Sequence, residues 1–290
     1  MPELPDLEVI REVLDPRLAG VAVAAAEVRR PLVVRNRLGG EPEAQLTGRR
    51  FLGARRRGKF LLLPFEDGAT MVVNPMLLGR VRLGPPLGRH RSRDALVLHL
   101  EDGQELRYHD AKDMGKIYLV STLEQVPTFS ELGPEATDPG LTLEVFVQRL
   151  RRHPGEIKGI LANQAFVAGI GNAYADEILW HARLYPFRRR ASMDAGELAC
   201  LHESMQTVLF EAIQTLRERV GDTVDVEVRD FLAVHGKAGR ACPRCGTTIS
   251  RVTRDRRDTD FCRQCQPGLM VGGPARELGA GGLDQSRLLR

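Results

Sequence analysis

The chain has 290 residues, of which 42% are hydrophobic and 28% charged, with a formal net charge of +4. That composition is globular, and the length suggests two compact domains with an appended element. No apolar run approaches the roughly eighteen residues a membrane helix needs, and the acidic start Met1–Asp6 lacks the basic-then-apolar order of a secretory signal. A membrane protein and an exported protein are disfavoured, and a reducing cytoplasm is the expected compartment.

Residues 5–18 read as an amphipathic helix, with Leu7, Ile10, Leu14 and Leu18 at near-helical spacing and Pro5 tolerated in the first turn. From about 21 to 120 short apolar stretches alternate with Gly, Pro, Asp and Arg clusters. Val21–Val28, Phe60–Phe65, Thr70–Val73, Ala95–Leu100 and Ile117–Val120 are read as strands of an antiparallel sandwich or barrel. Pro127 to Pro139 reads as a linker. Beyond it the pattern turns helical, over Thr142–Arg152, Ile157–Asn163, Asn172–Arg183 and the long, strongly periodic Asp194–Val220. Val224–Val234 connects that helix to a cysteine-bearing segment, and the Gly-rich residues after Cys265 are expected to be disordered.

Positive charge is concentrated in two places. Arg49, Arg50, Arg55, Arg56, Arg57 and Lys59 fall almost unopposed within eleven residues; Lys237, Arg240, Arg244, Arg251, Arg254, Arg256 and Arg257 form a second cluster. Two clusters of one sign suggest a polyanion partner, although a solvated basic face in an Arg-rich chain has the same appearance. Four of the five cysteines form Cys242-x-x-Cys245, sixteen residues, then Cys262-x-x-Cys265, the paired spacing of a four-thiolate zinc site. Disulfides are disfavoured without export, and a redox CxxC does not come twice at this spacing. Four thiolates leave no open coordination position, so the expected zinc is structural. Cys200 falls opposite the apolar stripe of its helix and is assigned no function.

Two further segments carry candidate chemistry. Removal of Met1 would expose Pro2 as a secondary amine, and a terminal amine, whose reference pKa is about 8, keeps a usable neutral fraction near pH 7. Such an amine can attack an electrophilic sugar carbon, and Glu3 can move a proton at the same sugar. Taken alone, a Met-Pro-Glu start is more simply read as a helix lead-in with an acid at the dipole's positive end. In Asn163–Glu177, Gly169 and Gly171 permit tight turns and close backbone approach, and Asn172 opens the next helix, where free N–H groups and its own amide face a phosphate. Alone, Gly-x-Gly-Asn is also a common helix-capping turn.

Together these pieces closely resemble the formamidopyrimidine-DNA glycosylase and endonuclease VIII family, over residues 2 to about 266. The resemblance is carried by Pro2-Glu3-Leu4-Pro5, Arg57-Gly58-Lys59-Phe60-Leu61-Leu62, Leu132-Gly133-Pro134-Glu135, the Asn163–Glu177 segment, and the finger with its edges His235-Gly-Lys-Ala-Gly239 and Phe261–Gln266. The tetrapeptide start favours the formamidopyrimidine branch. The resemblance implies an α+β protein: an N-terminal antiparallel β-sandwich with a leading helix (2–125), a linker (126–140), a helical domain with a helix–two-turn–helix (141–230), a four-cysteine zinc-finger hairpin (231–266) and a tail (267–290).

It also implies a monomer on the nucleoid that flips a damaged base from double-stranded DNA, cleaves its glycosidic bond, and nicks the strand by β,δ-elimination through a Schiff base. Pro2 is then the nucleophile and Glu3 the general acid/base. Lys59 matches the lysine of β-elimination and phosphate contact, Arg257 the finger arginine of phosphate binding and the δ step, and Asn172 the phosphate-binding asparagine. His90 corresponds, in loosely matching surroundings, to a DNA-contacting histidine.

The departures bear on specificity. Asp6 stands where the family more often has Glu, and Leu77 where a wedge methionine is usual. Lys112 and Met114, in Asp110-Ala-Lys-Asp-Met-Gly115, replace part of Asp-Pro-Arg-Arg-Phe-Gly. The plug for the vacated base space is then Leu77, Met114 and Lys112, and losing a guanidinium's paired donors predicts weaker discrimination for cytosine opposite the lesion. The short stretch between Phe231 and His235 puts 8-oxoguanine in doubt as substrate and leaves formamidopyrimidines, oxidised pyrimidines and abasic sites open. A non-catalytic damaged-DNA-binding protein is the alternative of a different class.

Overall fold

The computed structural model describes residues 1–88, 92–222, 224–254 and 256–268. His90 and most of the expected tail therefore lie outside the described residues. Helix α1 (Leu4–Leu18) starts the chain. Nine strands and one short helix follow: β1 (Val23–Val28), β2 (Val34–Asn36), α2 (Pro42–Leu46), β3 (Arg55–Arg57), β4 (Phe60–Pro64), β5 (Thr70–Asn74), β6 (Gly79–Gly84), β7 (Asp94–Leu100), β8 (Glu105–Asp110) and β9 (Lys116–Val120). They form a four-stranded sheet, β1-β7-β8-β6, and a five-stranded sheet, β2-β9-β5-β4-β3. The pairing is antiparallel except that β2 runs parallel to β9, so the expected all-antiparallel sandwich needs that one correction.

Strands β2, β3, β6 and β8 carry no apolar run of their own. β2 is Val-Arg-Asn and β3 three arginines, while in β6 Val81 and Leu83 alternate with Arg80, Arg82 and Gly84. Arg107, for example, is buried in β8 between Asp94 at 2.7 Å and Glu105 at 2.5 Å. The continuous apolar run of β4 has a different cause: both of its faces are covered. Leu61 and Leu63 face the sandwich core, while Phe60 and Leu62 pack with Val72, Val126 and Phe129 of the chain that leaves the sheets.

The second half is helical: α3 (Leu143–Leu150), α4 (Ile157–Leu161), α5 (Asn172–His181) and α6 (Ala195–Val220), then a hairpin of β10 (Ser250–Arg254) and β11 (Arg257–Phe261). A capping box starts α6, with the Glu197 N–H donating to Asp194 at 2.9 Å and the Asp194 N–H to Glu197 at 3.0 Å. Two large cores result, and α1 serves both. Leu7, Ile10, Leu14 and Leu18 pack into the sheets, while Leu4 and Val9 pack among the helices. The N-terminus is thereby set at the seam between the two halves.

Candidate active site and zinc centre

Pro2 is buried immediately before α1, and Glu3 occupies the helix's N-cap position with only 1% of its surface exposed. The Leu4 N–H donates to the Gly169 carbonyl at 3.0 Å, tying the first turn of α1 to the turn that precedes α5. Gly169 has φ +103°, and a Cβ there would meet Leu4 Cδ1 at 2.6 Å, so neither the backbone nor the space admits another residue. The Glu3 carboxylate then accepts from the N–H groups of Gly171 (2.6 Å), Ala173 (3.0 Å) and Tyr174 (3.3 Å). The anion-binding N-terminus of α5, expected to face a phosphate, is occupied by the protein's own Glu3. The Asn172 amide donates to the Asp258 carbonyl at 2.8 Å, joining α5 to the finger strand.

Gly171 is glycine for space and not for φ. A Cβ there would lie 2.4 Å from Glu3 Cδ and 2.4 Å from Lys59 Nζ, so the two side chains converge over its bare backbone. Burial pushes the Lys59 ammonium below the ordinary lysine range and Arg257 adds to that, while Glu3 and Asp6 oppose it. Two cavities of about 660 and 460 Å³ share Met1, Lys59, Ala162 and Arg257, forming one cleft beside this corner. Leu77 and Asn172 line the smaller one. Of the expected residues, the fold thus gathers Pro2, Glu3, Lys59, Asn172, Arg257 and Leu77. Lys112 and Met114 line neither cavity: they are exposed on the loop between β8 and β9. The register Gly79↔Asp110 sets that loop at the same strand ends as Leu77.

Arg229 was not singled out by sequence and sits at the heart of this corner. It donates to Asp6 at 2.6 Å, to Glu227 at 3.3 Å and to the Met1 carbonyl at 3.2 Å, and its guanidinium lies 5.2 Å from the Tyr174 ring centroid. Asp6 in turn accepts the Glu3 N–H at 2.8 Å. Burial pushes the Asp6 carboxyl up, against the pull of Arg229. Nothing in the irregular stretch Val226–Phe231 marks Arg229 by period or motif. Lys158, Asp176 and Asp260 were missed likewise. Lys158 pairs with Asp176 at 2.6 Å and donates to Thr259 Oγ1 at 2.8 Å, while His235 meets Asp176 at 2.8 Å. An acid on the buried face of an apolar helix, Asp176 on α5, was the available clue.

In the finger, the Sγ atoms of Cys242, Cys245, Cys262 and Cys265 all lie within 4.8 Å of one another. Cys242–Cys265 at 3.9 Å and Cys245–Cys262 at 3.4 Å are far too long for disulfides. They bracket the edge of about 3.8 Å of a tetrahedron with zinc–sulfur bonds near 2.3 Å. The Trp180 indole N–H donates to Cys242 Sγ at 3.4 Å, and Arg244 lies 4.0 Å over the Trp180 ring, fastening the knuckle to α5. The donor set suits one structural zinc and no open position.

The two basic clusters part company in the fold. Arg49 pairs with Asp67, Arg50 with Glu101 at 3.2 Å, Arg56 with Glu8 at 2.7 Å and also with Glu135, and Arg57 with Glu135 at 2.7 Å. The Gly58 N–H also donates to Glu135 at 2.6 Å. The first cluster, expected to meet a polyanion, is largely neutralised by acids distant in sequence. In the second, Arg251 and Arg254 are paired, but Arg256 and Arg257 are exposed and line the cleft.

Comparison with known proteins places the chain in one family. Residues 1–117 match the formamidopyrimidine-DNA glycosylase N-terminal domain, 132–223 the H2TH domain of the same enzymes, and 239–268 the zinc finger found in FPG and IleRS. The chain is 35% identical over 279 residues to the formamidopyrimidine-DNA glycosylase of Desulforamulus reducens, covering 92% of this chain and 99% of the relative. It is 37% identical over 276 residues to that of Symbiobacterium thermophilum, covering 92% and 90%. A Lactococcus lactis FPG variant in complex with Fapy-dG DNA superimposes with TM-score 0.82 at 30% identity, over 92% of this chain and all of that one. No helix among the described residues is long and apolar enough to cross a membrane. With the N-terminal proline corner, the helical anchor and the thiolate finger in one arrangement, the chain belongs to the formamidopyrimidine-DNA glycosylase family: a DNA glycosylase of base-excision repair with abasic-site lyase activity and one structural zinc.

Proposed function

We propose that Pro2, freed of Met1, is the nucleophile that removes a ring-opened purine from double-stranded DNA and then opens the strand. The neutral amine attacks C1′ of the flipped nucleotide, and the base leaves with the bonding pair and takes up a proton. Glu3 protonates the ring oxygen O4′ as the sugar opens and the C1′–nitrogen bond becomes an iminium. Loss of a C2′ proton expels the 3′ phosphate, and a second elimination expels the 5′ phosphate. Lys59 and Arg257 hold those phosphates, Lys59 serving the β step and Arg257 the δ step. Asn172 binds a neighbouring phosphate with the amide hydrogen left free by Asp258. Leu77 and Met114 enter the space of the flipped base, with Lys112 beside its partner base.

The division of labour follows residues 2–125 for catalysis, 126–140 as connection, 141–230 for DNA binding and 231–266 as the finger. Such a substrate sets the protein to work on the nucleoid.

One observation carries this reading: the Glu3 carboxylate is held by three N–H donors at the start of α5 (Gly171, Ala173 and Tyr174) directly beside Pro2, over the same glycine that admits Lys59 Nζ. Support for the lesion comes from the relatives' names and from the Lactococcus lactis complex with Fapy-dG DNA. A second substrate, bare abasic sites, is favoured by the short stretch between Phe231 and His235, which leaves little chain there to cover a flipped base; Lactococcus lactis Fpg is also known in complex with abasic-site DNA. The test is covalent trapping by cyanoborohydride on oligonucleotides carrying an abasic site or a panel of lesions, with intact mass to verify loss of Met1. Trapping through the N-terminal peptide is the expected result. A protein that binds the oligonucleotides yet never crosslinks would be a binder and not an enzyme.

A further inference from the structure

Three carboxylates converge on the N-terminus: Glu3 and Asp6 from α1, and Glu227 from the segment after α6, which meets the Met1 amine at 3.4 Å. Unopposed, they would hold a terminal amine as its ammonium ion, which has no lone pair for attack on carbon. The cations facing them are Lys59, Arg257, Arg80 paired with Glu227, and Arg229. Arg229 alone among these touches both Asp6 and the N-terminal residue itself. Its Nη2 lies 3.2 Å from the Met1 carbonyl oxygen, whose carbon is bonded to the Pro2 nitrogen. Standard peptide dimensions then place that guanidinium within about 5.5 Å of the Pro2 nitrogen. Its Nη1 is buried without a hydrogen-bond partner, as is the hydroxyl of Tyr174 beneath it. Asp6, with Glu3 and Glu227, keeps the guanidinium charged despite its burial.

We propose that Arg229 is a positioning residue for the N-terminal nucleophile: its fixed charge offsets Glu3, Asp6 and Glu227 and keeps Pro2 in the unprotonated form that attacks C1′. This rests on the reading of Pro2 as nucleophile. Loss of Met1 removes the carbonyl that Nη2 now contacts, so the bare guanidinium faces the new amine directly. A guanidinium suits the task because it stays charged at every working pH and has donors enough to hold Asp6 and Glu227 at once.

The experiment is the rate of cyanoborohydride trapping on an abasic-site oligonucleotide from pH 5 to 9, with melting of each variant recorded. For Arg229→Gln, the inflection should move up by about one pH unit, a roughly tenfold slowing at neutral pH, with the high-pH plateau retained. Arg229→Lys should restore the original profile. Asp6→Asn should move the inflection the other way, because a carboxylate is removed and Arg229 is left uncompensated. A merely structural role slows trapping equally at all pH and gives no opposed shifts. If Arg229→Gln fails to melt cooperatively, Asp6→Asn decides alone. Unmoved inflections in variants that still trap would overturn this inference and leave the proline reading standing; absence of trapping by the unaltered protein would overturn both.

Discussion

Arg56 and Arg257 both belong to basic stretches, yet the fold treats them oppositely. Arg56 is almost fully buried between Glu8 and Glu135 and braces the chain that leaves the sheets against α1 and β3. Arg257 opens β11 at the mouth of the cleft, exposed, with its charge turned toward Lys59. The difference lies in where the acids are. Glu8, Asp67, Glu101 and Glu135 reach the first cluster from α1, two hairpin turns and the connecting segment, whereas the finger's Asp258 and Asp260 are absorbed by Arg251. A run of like charges is therefore available to a polyanion only where folding brings it no counter-charge.

Chelating the zinc should break the comparison most completely. Without metal the hairpin loses the closure at its thiolates, and its own core among the described residues is four residues, two of them cysteines. Arg256, Arg257 and the Asn172 anchor go with it, and DNA affinity should fall by about a hundredfold or more, while the N-terminal sheets still melt cooperatively. Zinc content against titration of labelled abasic DNA checks this, and full affinity after metal loss would contradict it.

Glu135→Ala comes next. It leaves Arg57 and the Gly58 N–H without their carboxylate and Arg56 with Glu8 alone, at a cost of about 2 kcal/mol or several degrees of Tm. The salt dependence of DNA binding should be unchanged, since this cluster is scaffold. Arg257→Ala should do the reverse. Melting should hold within about 0.5 kcal/mol, while the slope of log affinity against log salt drops by about one, the mark of a single lost phosphate contact. Arg55→Ala is the smallest and sharpest probe, because Arg55 is the exposed member of β3. Neither Tm nor salt slope should change measurably; a reduced slope would return the first cluster to the DNA surface.

Much of the architecture was legible. The helical periods of 5–18 and 194–220 and the paired CxxC spacing needed only local chemistry, and each element appears within a residue or two of its expected bounds. Strands β2, β3, β6 and β8 were not legible, since none carries an apolar run: Arg107 is buried in β8 with Asp94 of β7 and Glu105 of its own strand against it. At the site, Pro2, Glu3 and Lys59 were visible as motif residues. The grip of α5 on Glu3 was not, because it joins positions about 170 residues apart. Arg229 had no visible pattern at all, being defined by what the N-terminus brings to it.

Composition, periodicity and cysteine spacing by themselves determined the two halves, the long helices and the thiolate knuckles, because each depends on residues close in the chain. Tertiary structure alone decided which arginines are spent as struts and which face the cleft. It also turned the start of α5 toward Glu3 rather than a phosphate. Charge and hydrogen bonding are settled by distance in space, and a hydrogen-bonded partner a hundred residues away outweighs any neighbour in sequence that it does not touch.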